Sequence, residues 1–291
     1  MKPENLQFES NTLAIMPEKL NDIIMARVNC YGAAVMSAND IEDAISRRAT
    51  KFKNVTGKVV TVPLSGFISH KATIWSAFGL ETSSETFAGW IESLVNNEDV
   101  GVIIMDIDSP GGTALGLSGI SDKIFALRGR KPIIAVVNDL MASAAYFIGS
   151  AADEIVSDPD ALTGSIGTIS VHMDYSKFLE DAGIKPTIIH AGKFKGEGNP
   201  FEPLTDEAKA DMQKTVDDFG EAFIAAVARN RNTTVSDVKE NFGQGRVFRA
   251  KEAKSIGMID RIATLENVIR DLRPKGKSRS RAQAETDILK L

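Results

Sequence analysis

Between about Gly57 and Ala263, short β-branched runs alternate with longer amphipathic segments, and this alternation narrows the possible folds more than any other feature of the chain. Lys58–Leu64 reads as a strand, and Thr82–Asn97 as a helix with Phe87, Trp90, Ile91 and Leu94 on one face. Gly101–Ile107 reads as a buried strand, Leu115–Leu127 as a helix, Pro132–Val137 as a strand and Ala142–Ala152 as a helix. Strands follow near Glu154–Val156, Ile166–Met173 and Thr187–Ala191, with a helix over Tyr175–Ala182. Strand and helix periodicities taking turns in this way predict βαβ units and an α/β fold with a mainly parallel sheet. A long helix, Thr205–Arg229, comes next. Leu204-Thr-Asp-Glu gives it a capping start, and Met212, Val216, Phe219, Phe223 and Val227 recur at helical spacing. A shorter helix from Thr234 and an αβ segment, Val247–Ile262, close the unit.

Three regions are expected: a helical arm at 1–56, a domain at 57–271 and a basic, flexible tail at 272–291. The arm carries helical patterns at Pro17–Val28 and Asn39–Arg48, with Asn39 placed to cap the second. It suits either an interaction arm or a lid. In the tail, Leu272-Arg-Pro-Lys-Gly-Lys-Ser-Arg-Ser-Arg281 sets basic residues among Pro, Gly and Ser, a composition that buries little.

Composition removes several functions. With 34 basic and 39 acidic residues the net charge is −5, which argues against broad nucleic-acid or anionic-membrane binding. Cys30 stands alone, so neither an internal disulfide nor a thiolate zinc site is available. The first residues lack the basic start and apolar run of a secretion signal, and no window approaches the ~20 apolar residues that span a bilayer. The expectation is a soluble protein of the cytoplasm, with no membrane anchor.

Three turns carry candidate chemistry. Asp108-Ser-Pro-Gly-Gly-Thr113 follows a buried strand, where consecutive glycines let backbone N–H groups face a bound oxygen. It reads as an oxyanion hole, a plain tight turn or a weak phosphate cradle; no Gly-Lys-Ser/Thr follows to make it a Walker loop. Leu140-Met-Ala-Ser-Ala-Ala-Tyr-Phe-Ile148 puts Ser143 at a strand-to-helix junction among small residues, either as a nucleophile or as a helix cap. Gly192-Lys-Phe-Lys-Gly196 offers Lys193 and Lys195, two apart and on one face of an extended segment. Serine needs a neighbouring base, and lysine serves only when desolvation brings its amine toward neutrality. The local pattern leaves both lysines open, and solvated loop lysines remain the plain alternative. Of the three histidines, His70, His172 and His190, none stands in a pattern that demands catalysis.

Taken together and in order, Ile107-Asp-Ser-Pro-Gly-Gly112, Met141-Ala-Ser-Ala-Ala-Tyr146, Thr163-Gly-Ser-Ile-Gly167 and Ala191-Gly-Lys-Phe-Lys195 resemble the signal peptide peptidase A family of Ser-Lys proteases. The likeness covers about Val59 to Ile262. It implies a ClpP/crotonase-like fold, Ser143 as nucleophile, Lys195 as general base, and Ser165 orienting the lysine amine. It further implies Gly112 and the Ala144 N–H as oxyanion donors, no metal or organic cofactor, and a homo-oligomer with active sites near subunit boundaries. Where the membrane-anchored members carry Ala-Ser-Gly-Gly-Tyr-Tyr, this chain has Ala144, Ala145 and Phe147. The phage-type branch of capsid-assembly (prohead) proteases is the better match, and its likeness extends to Gly198–Leu204 and to Leu13-Ala-Ile-Met-Pro17. The expected activity is hydrolysis of scaffold or portal polypeptides through an acyl-enzyme, in the host cytoplasm or inside a prohead. A cytoplasmic signal-peptide peptidase, a non-catalytic assembly module and an acyl-CoA enzyme on the related fold are the alternatives.

Overall fold

The computed structural model describes residues 12–17, 19, 53–54, 58–73, 75–76 and 79–273. Its elements begin with β1 (Thr12–Ile15), β2 (Lys53–Asn54), β3 (Val59–Ser69), β4 (Glu81–Ser83) and α1 (Ser84–Asn96). Next come β5 (Val102–Thr113), α2 (Leu117–Ala126), β6 (Ile133–Ala142), α3 (Ala144–Gly149), β7 (Glu154–Ser157), β8 (Leu162–Gly164) and β9 (Ile169–Ser170). The remainder is α4 (Ser176–Asp181), α5 (Asp206–Asn230), α6 (Val235–Asn241), β10 (Val247–Arg249), α7 (Ala250–Ser255), β11 (Arg261–Ile262) and α8 (Leu265–Leu272).

β3, β5, β6 and β7 run parallel side by side, with Val60 opposite Ile103, Ile103 opposite Ile133 and Ile134 opposite Glu154. Helices α1, α2 and α3 lie in the connections between them. The class is therefore α/β, with a mainly parallel sheet built from βαβ units, as the alternating pattern predicts. Antiparallel pairs occur where β1, β2 and β10 join.

Both faces of the sheet are covered, as parallel sheets require. In β5, Ile103, Met105 and Ile107 point into the larger core, where Phe87, Ile91, Ile124, Phe147, Phe223 and Val227 of the helices meet them. Ile104 points the other way and packs with Val136, Val156 and Val268, the last from α8. Each such side chain stabilises the fold by about 1.5–3 kcal/mol. Helix starts follow the expected chemistry. The Ser83 hydroxyl accepts the Thr86 N–H at 3.2 Å and the Thr205 hydroxyl accepts the Ala208 N–H at 3.2 Å, caps worth about 1 kcal/mol each.

Four expectations are corrected. Within the segment read as a helical arm, Thr12–Ile15 are a strand of the central sheet and are buried. The patterns at Pro17–Val28 and Asn39–Arg48, apart from Pro17 and Lys19, lie outside the described residues, as does the tail beyond Arg273. The strand expected to end at Val137 continues to Ala142, because Leu140–Ala142 pair with Leu162–Gly164. Ile166–Met173 shrinks to Ile169–Ser170, which leaves His172 off the strand. Thr187–Ala191 form no strand: Ile189 is 92% exposed, and without a partner edge a β-rich sequence has nothing to hydrogen-bond. Among the described residues, no helix is long and apolar enough to cross a membrane.

Candidate active site

β6 ends at Ala142 and the chain turns at once into α3, so Ser143 occupies the corner between them. Its backbone has φ 55° and ψ −118°, outside the regions open to most L-residues. Such a conformation costs of order 1–3 kcal/mol and persists only where its surroundings over-determine it. Here the Ser143 N–H donates to Gly164 O at 2.8 Å, and its carbonyl accepts the Phe147 N–H at 2.9 Å. The side chain is fully buried, and its hydroxyl reaches Gly167 O at 3.4 Å. Behind it, Tyr146 is locked by a hydrogen bond from its hydroxyl to Met258 O at 2.9 Å; burial pushes its pKa far upward, so it stays a neutral donor.

Ser165 lies in the chain that leaves β8, also at positive φ (55°), 4% exposed, with its N–H donating to Arg246 O at 2.7 Å. The neighbouring Gly164 supplies the carbonyl that holds Ser143, and Gly167 faces the hydroxyl. Ser143 and the Ser165–Gly167 turn are thus brought together.

The glycine pair at the tip of β5 divides its roles. Gly111 has φ 102°, and a methyl group on it would lie 3.0 Å from both Ser143 Cβ and Ala144 N. Its lack of a side chain makes room beside the Ala144 N–H for the Ala14 carbonyl, whose oxygen would lie 2.2 Å from such a methyl. Its own N–H donates to the Ser109 hydroxyl at 3.2 Å, which in turn donates to Gly66 O at 2.6 Å. Gly112, the expected oxyanion residue, is paired with Ile68 on one side and Ala14 on the other. A methyl there would sit 1.8 Å from Ile68 O, so glycine is needed for β3 and β5 to stay joined. Adjacent glycines are indistinguishable in sequence; the strand register separates the one facing Ser143 from the one facing β3. On the same strand, desolvation and the nearby Asp139 carboxylate raise the Asp108 pKa, while Lys19 lowers it.

Both lysines are exposed in the subunit. Lys195 is exposed in a turn, with its N–H donating to Gly192 O at 3.2 Å. Lys193 pairs with Glu207 at 3.2 Å and lies 4.3 Å above the Phe194 ring. The His190 ring meets Gly192 O at 2.9 Å. Among the described residues of the subunit, no hydrogen bond links Ser143 to a lysine or a histidine. The surrounding chain exposes much apolar surface: Phe178 70%, Ile184 55%, Ile189 92% and Phe194 55%. Among the described residues, no group of three His, Cys, Asp or Glu side chains is placed to share a metal ion.

Peptidase family S49 matches residues 126–278, a span that includes Ser143, Ser165 and Lys195. Capsid assembly protease C of Escherichia phage lambda is 27% identical over 241 residues, 82% of this chain and 54% of its own length. The chloroplastic serine protease SPPA of Arabidopsis thaliana is 31% identical over 213 residues, 73% of this chain and 31% of its own length. The chain spans about half the length of the curated relatives it matches. Among solved structures, a ClpP1 mutant from Listeria monocytogenes overlaps with a TM-score of 0.44 at 15% identity, covering 72% of this chain and 94% of that one.

Proposed function

The chain belongs to peptidase family S49, and from that premise we propose that it is a serine endopeptidase with a Ser143–Lys195 dyad. The carrying observation is a fully buried hydroxyl, held in a strained strand-to-helix corner between the Ala144 N–H and a glycine whose missing side chain leaves room there for a backbone carbonyl. In the proposed reaction, neutral Lys195 takes the proton from Ser143 Oγ as the oxygen attacks a peptide carbonyl. The developing oxyanion is held by the Ala144 N–H and by the glycine tip of β5, where Gly112 is the donor implied by resemblance. The lysine ammonium, oriented by Ser165, then protonates the leaving amine. Water repeats the sequence on the acyl-enzyme. Preorganised donors of this kind are typically worth ~3–4 kcal/mol each to the transition state.

Lysine is a base only when removed from water, and Lys195 is exposed in the single subunit. We therefore assign it to the corner of a neighbouring copy. The exposed Phe178, Ile184, Ile189 and Phe194 around it support that reading, since apolar side chains grouped along one segment mark an interface. The likeness to a phage capsid assembly protease supports scaffold or portal polypeptides as substrates in capsid maturation.

The test is to incubate the purified chain with scaffold and portal proteins encoded beside it and to map the cuts. Ser143→Ala and Lys195→Ala should each abolish cleavage and leave the thermal melt unchanged. Full activity in Lys195→Ala, with loss in Lys193→Ala, would reassign the base.

A further inference from the structure

β1 lies where an extended peptide substrate could also lie. β5 has two edges. β3 holds one of them as far as Ile68 opposite Gly112. β6 holds the other only to Met141 opposite Ser109, because it then turns away at Ser143. β1 fills the vacated edge, antiparallel, with Leu13, Ala14 and Ile15 opposite Thr113, Gly112 and Gly111. Its outer edge is taken by β9, also antiparallel, with Thr12 opposite Ser170 and Leu13 opposite Ile169. β9 directly follows the turn whose Gly167 carbonyl accepts the Ser143 hydroxyl. Lifting β1 out would leave a slot one strand wide between β5 and β9, beside the proposed nucleophile. Two facing strand edges with free N–H and C=O groups grip an extended peptide of almost any sequence.

The fit of the present occupant is specific. Met16 donates its N–H to Pro110 O at 2.8 Å, and Ala114 donates to Thr12 O at 3.3 Å. In an antiparallel ladder these bonded pairs alternate, so Ala14 and Gly112 form the bonded pair between them. A methyl placed on Gly111 would lie 2.2 Å from Ala14 O and 3.0 Å from both Ala144 N and Ser143 Cβ. The Ala14 carbonyl is therefore presented at the corner where the reaction would hold an oxyanion. Leu13 and Ile15 pack outward on Phe67 and Ile169, while Ala14 turns into the core that contains Ala144 and Ala145. All four residues of β1 are 5% exposed or less.

We infer that Thr12–Ile15 is a built-in occupant of the peptide-binding slot, which must leave before a substrate can enter. The inference rests on the reading of Ser143 as the nucleophile and adds a means of regulation to that site.

A reversible lock tests it in the full-length chain. The Thr12 carbonyl points to β5, so toward β9 Thr12 and Ser170 form the narrow, non-bonded pair with Cα atoms ~4.5 Å apart, within reach of a disulfide. Thr12→Cys with Ser170→Cys is made in a Cys30→Ser, Ser143→Ala background. The probe is a fluorescent peptide of the sequence Thr-Leu-Ala-Ile-Met-Pro, and thermal melts of both redox forms check folding. The reduced form should bind the probe at least ~10-fold more tightly than the oxidised form, since occupancy of the slot lowers apparent affinity by the fraction open. Ile15→Asp in the same Ser143→Ala background, which expels β1, should bind at least ~10-fold more tightly than its parent. Equal binding by locked and reduced protein, or no gain from Ile15→Asp, overturns the inference. Hydrolysis of a peptide substrate by the lock with Ser143 intact separates this from the peptidase reading. Equal cleavage in both redox forms removes the plug and keeps the peptidase. Redox-switched probe binding with no cleavage by any form keeps the plug and removes the peptidase.

Discussion

Gly111→Ala separates the geometry of the Ser143 corner from ordinary backbone strain. With β1 expelled, which removes the 2.2 Å clash a methyl there would make with Ala14 O, alanine at φ 102° costs of order 1–3 kcal/mol. For a domain of this size that lowers Tm by roughly 2–12 °C, at 2–4 °C per kcal/mol. The larger effect is local, because the new methyl would lie 3.0 Å from Ser143 Cβ and from Ala144 N and fill the space an oxyanion would occupy. Loss of one oxyanion contact slows acyl transfer by about 10²–10³-fold. Gly129→Ala is the matched control: its φ is 75°, and a methyl there meets nothing within 4 Å. It should lose ~1–2 kcal/mol of stability and no activity. The assay is the rate at which a fluorophosphonate labels Ser143, read by gel and mass spectrometry beside thermal melts. Both variants are made in the Ile15→Asp background, so that β1 does not compete for the slot. Labelling of Gly111→Ala at the parent rate would refute the idea that this corner receives the reacting oxygen.

If Lys195 acts on a neighbouring copy, co-assembling Ser143→Ala with Lys195→Ala should restore cleavage that each variant lacks alone; continued silence of a stable mixed assembly would place both groups in one subunit. Ile189→Asp should lower the mass of the assembly in light scattering and leave the circular dichroism spectrum unchanged, because the side chain is 92% exposed in the subunit. Asp260 receives Arg231 through two nitrogens, at 2.6 and 3.0 Å, and the Ile155 N–H at 2.8 Å. Burial alone would raise its pKa, but these donors outweigh it and hold the carboxyl below its ordinary value. Breaking a buried pair costs ~3–5 kcal/mol; with the Asp260 side chain 40% exposed, Asp260→Asn should cost about 2 kcal/mol at pH 7. A depressed folded pKa stabilises above the unfolded value of ~3.9 and is lost as pH falls through the folded one, so the gap between wild type and Asp260→Asn should close below about pH 4 in urea titrations.

The central strands are legible in the sequence because Val59–Val62, Ile103–Ile107 and Ile133–Val137 put buried apolar side chains on both faces, which a doubly covered sheet demands. What periodicity reports is burial, and it is silent about partners. Asn138–Ala142 carry no strand pattern, yet they join the ladder because β8 arrives beside Leu140. Thr187–Ala191 carry one and stay out of the sheet, since the subunit offers no edge to them. β1 is four residues long and pairs with residues far along the chain, so no local signal distinguishes it from a helix start. Ser143 is legible as a serine at a strand-to-helix junction. Its backbone strain, the different neighbours of Gly111 and Gly112, and the exposure of Lys195 all depend on register and tertiary placement.

The unusual φ and ψ of Ser143 bear on how this scaffold would drift once cutting is no longer required. Alanine at 143 removes the hydroxyl but keeps the Cβ that opposes the turn, whereas glycine relaxes the turn itself. A copy retained only for its shape would therefore be more robust with glycine than with alanine there, and a serine kept at that corner stays at the expense of the fold around it.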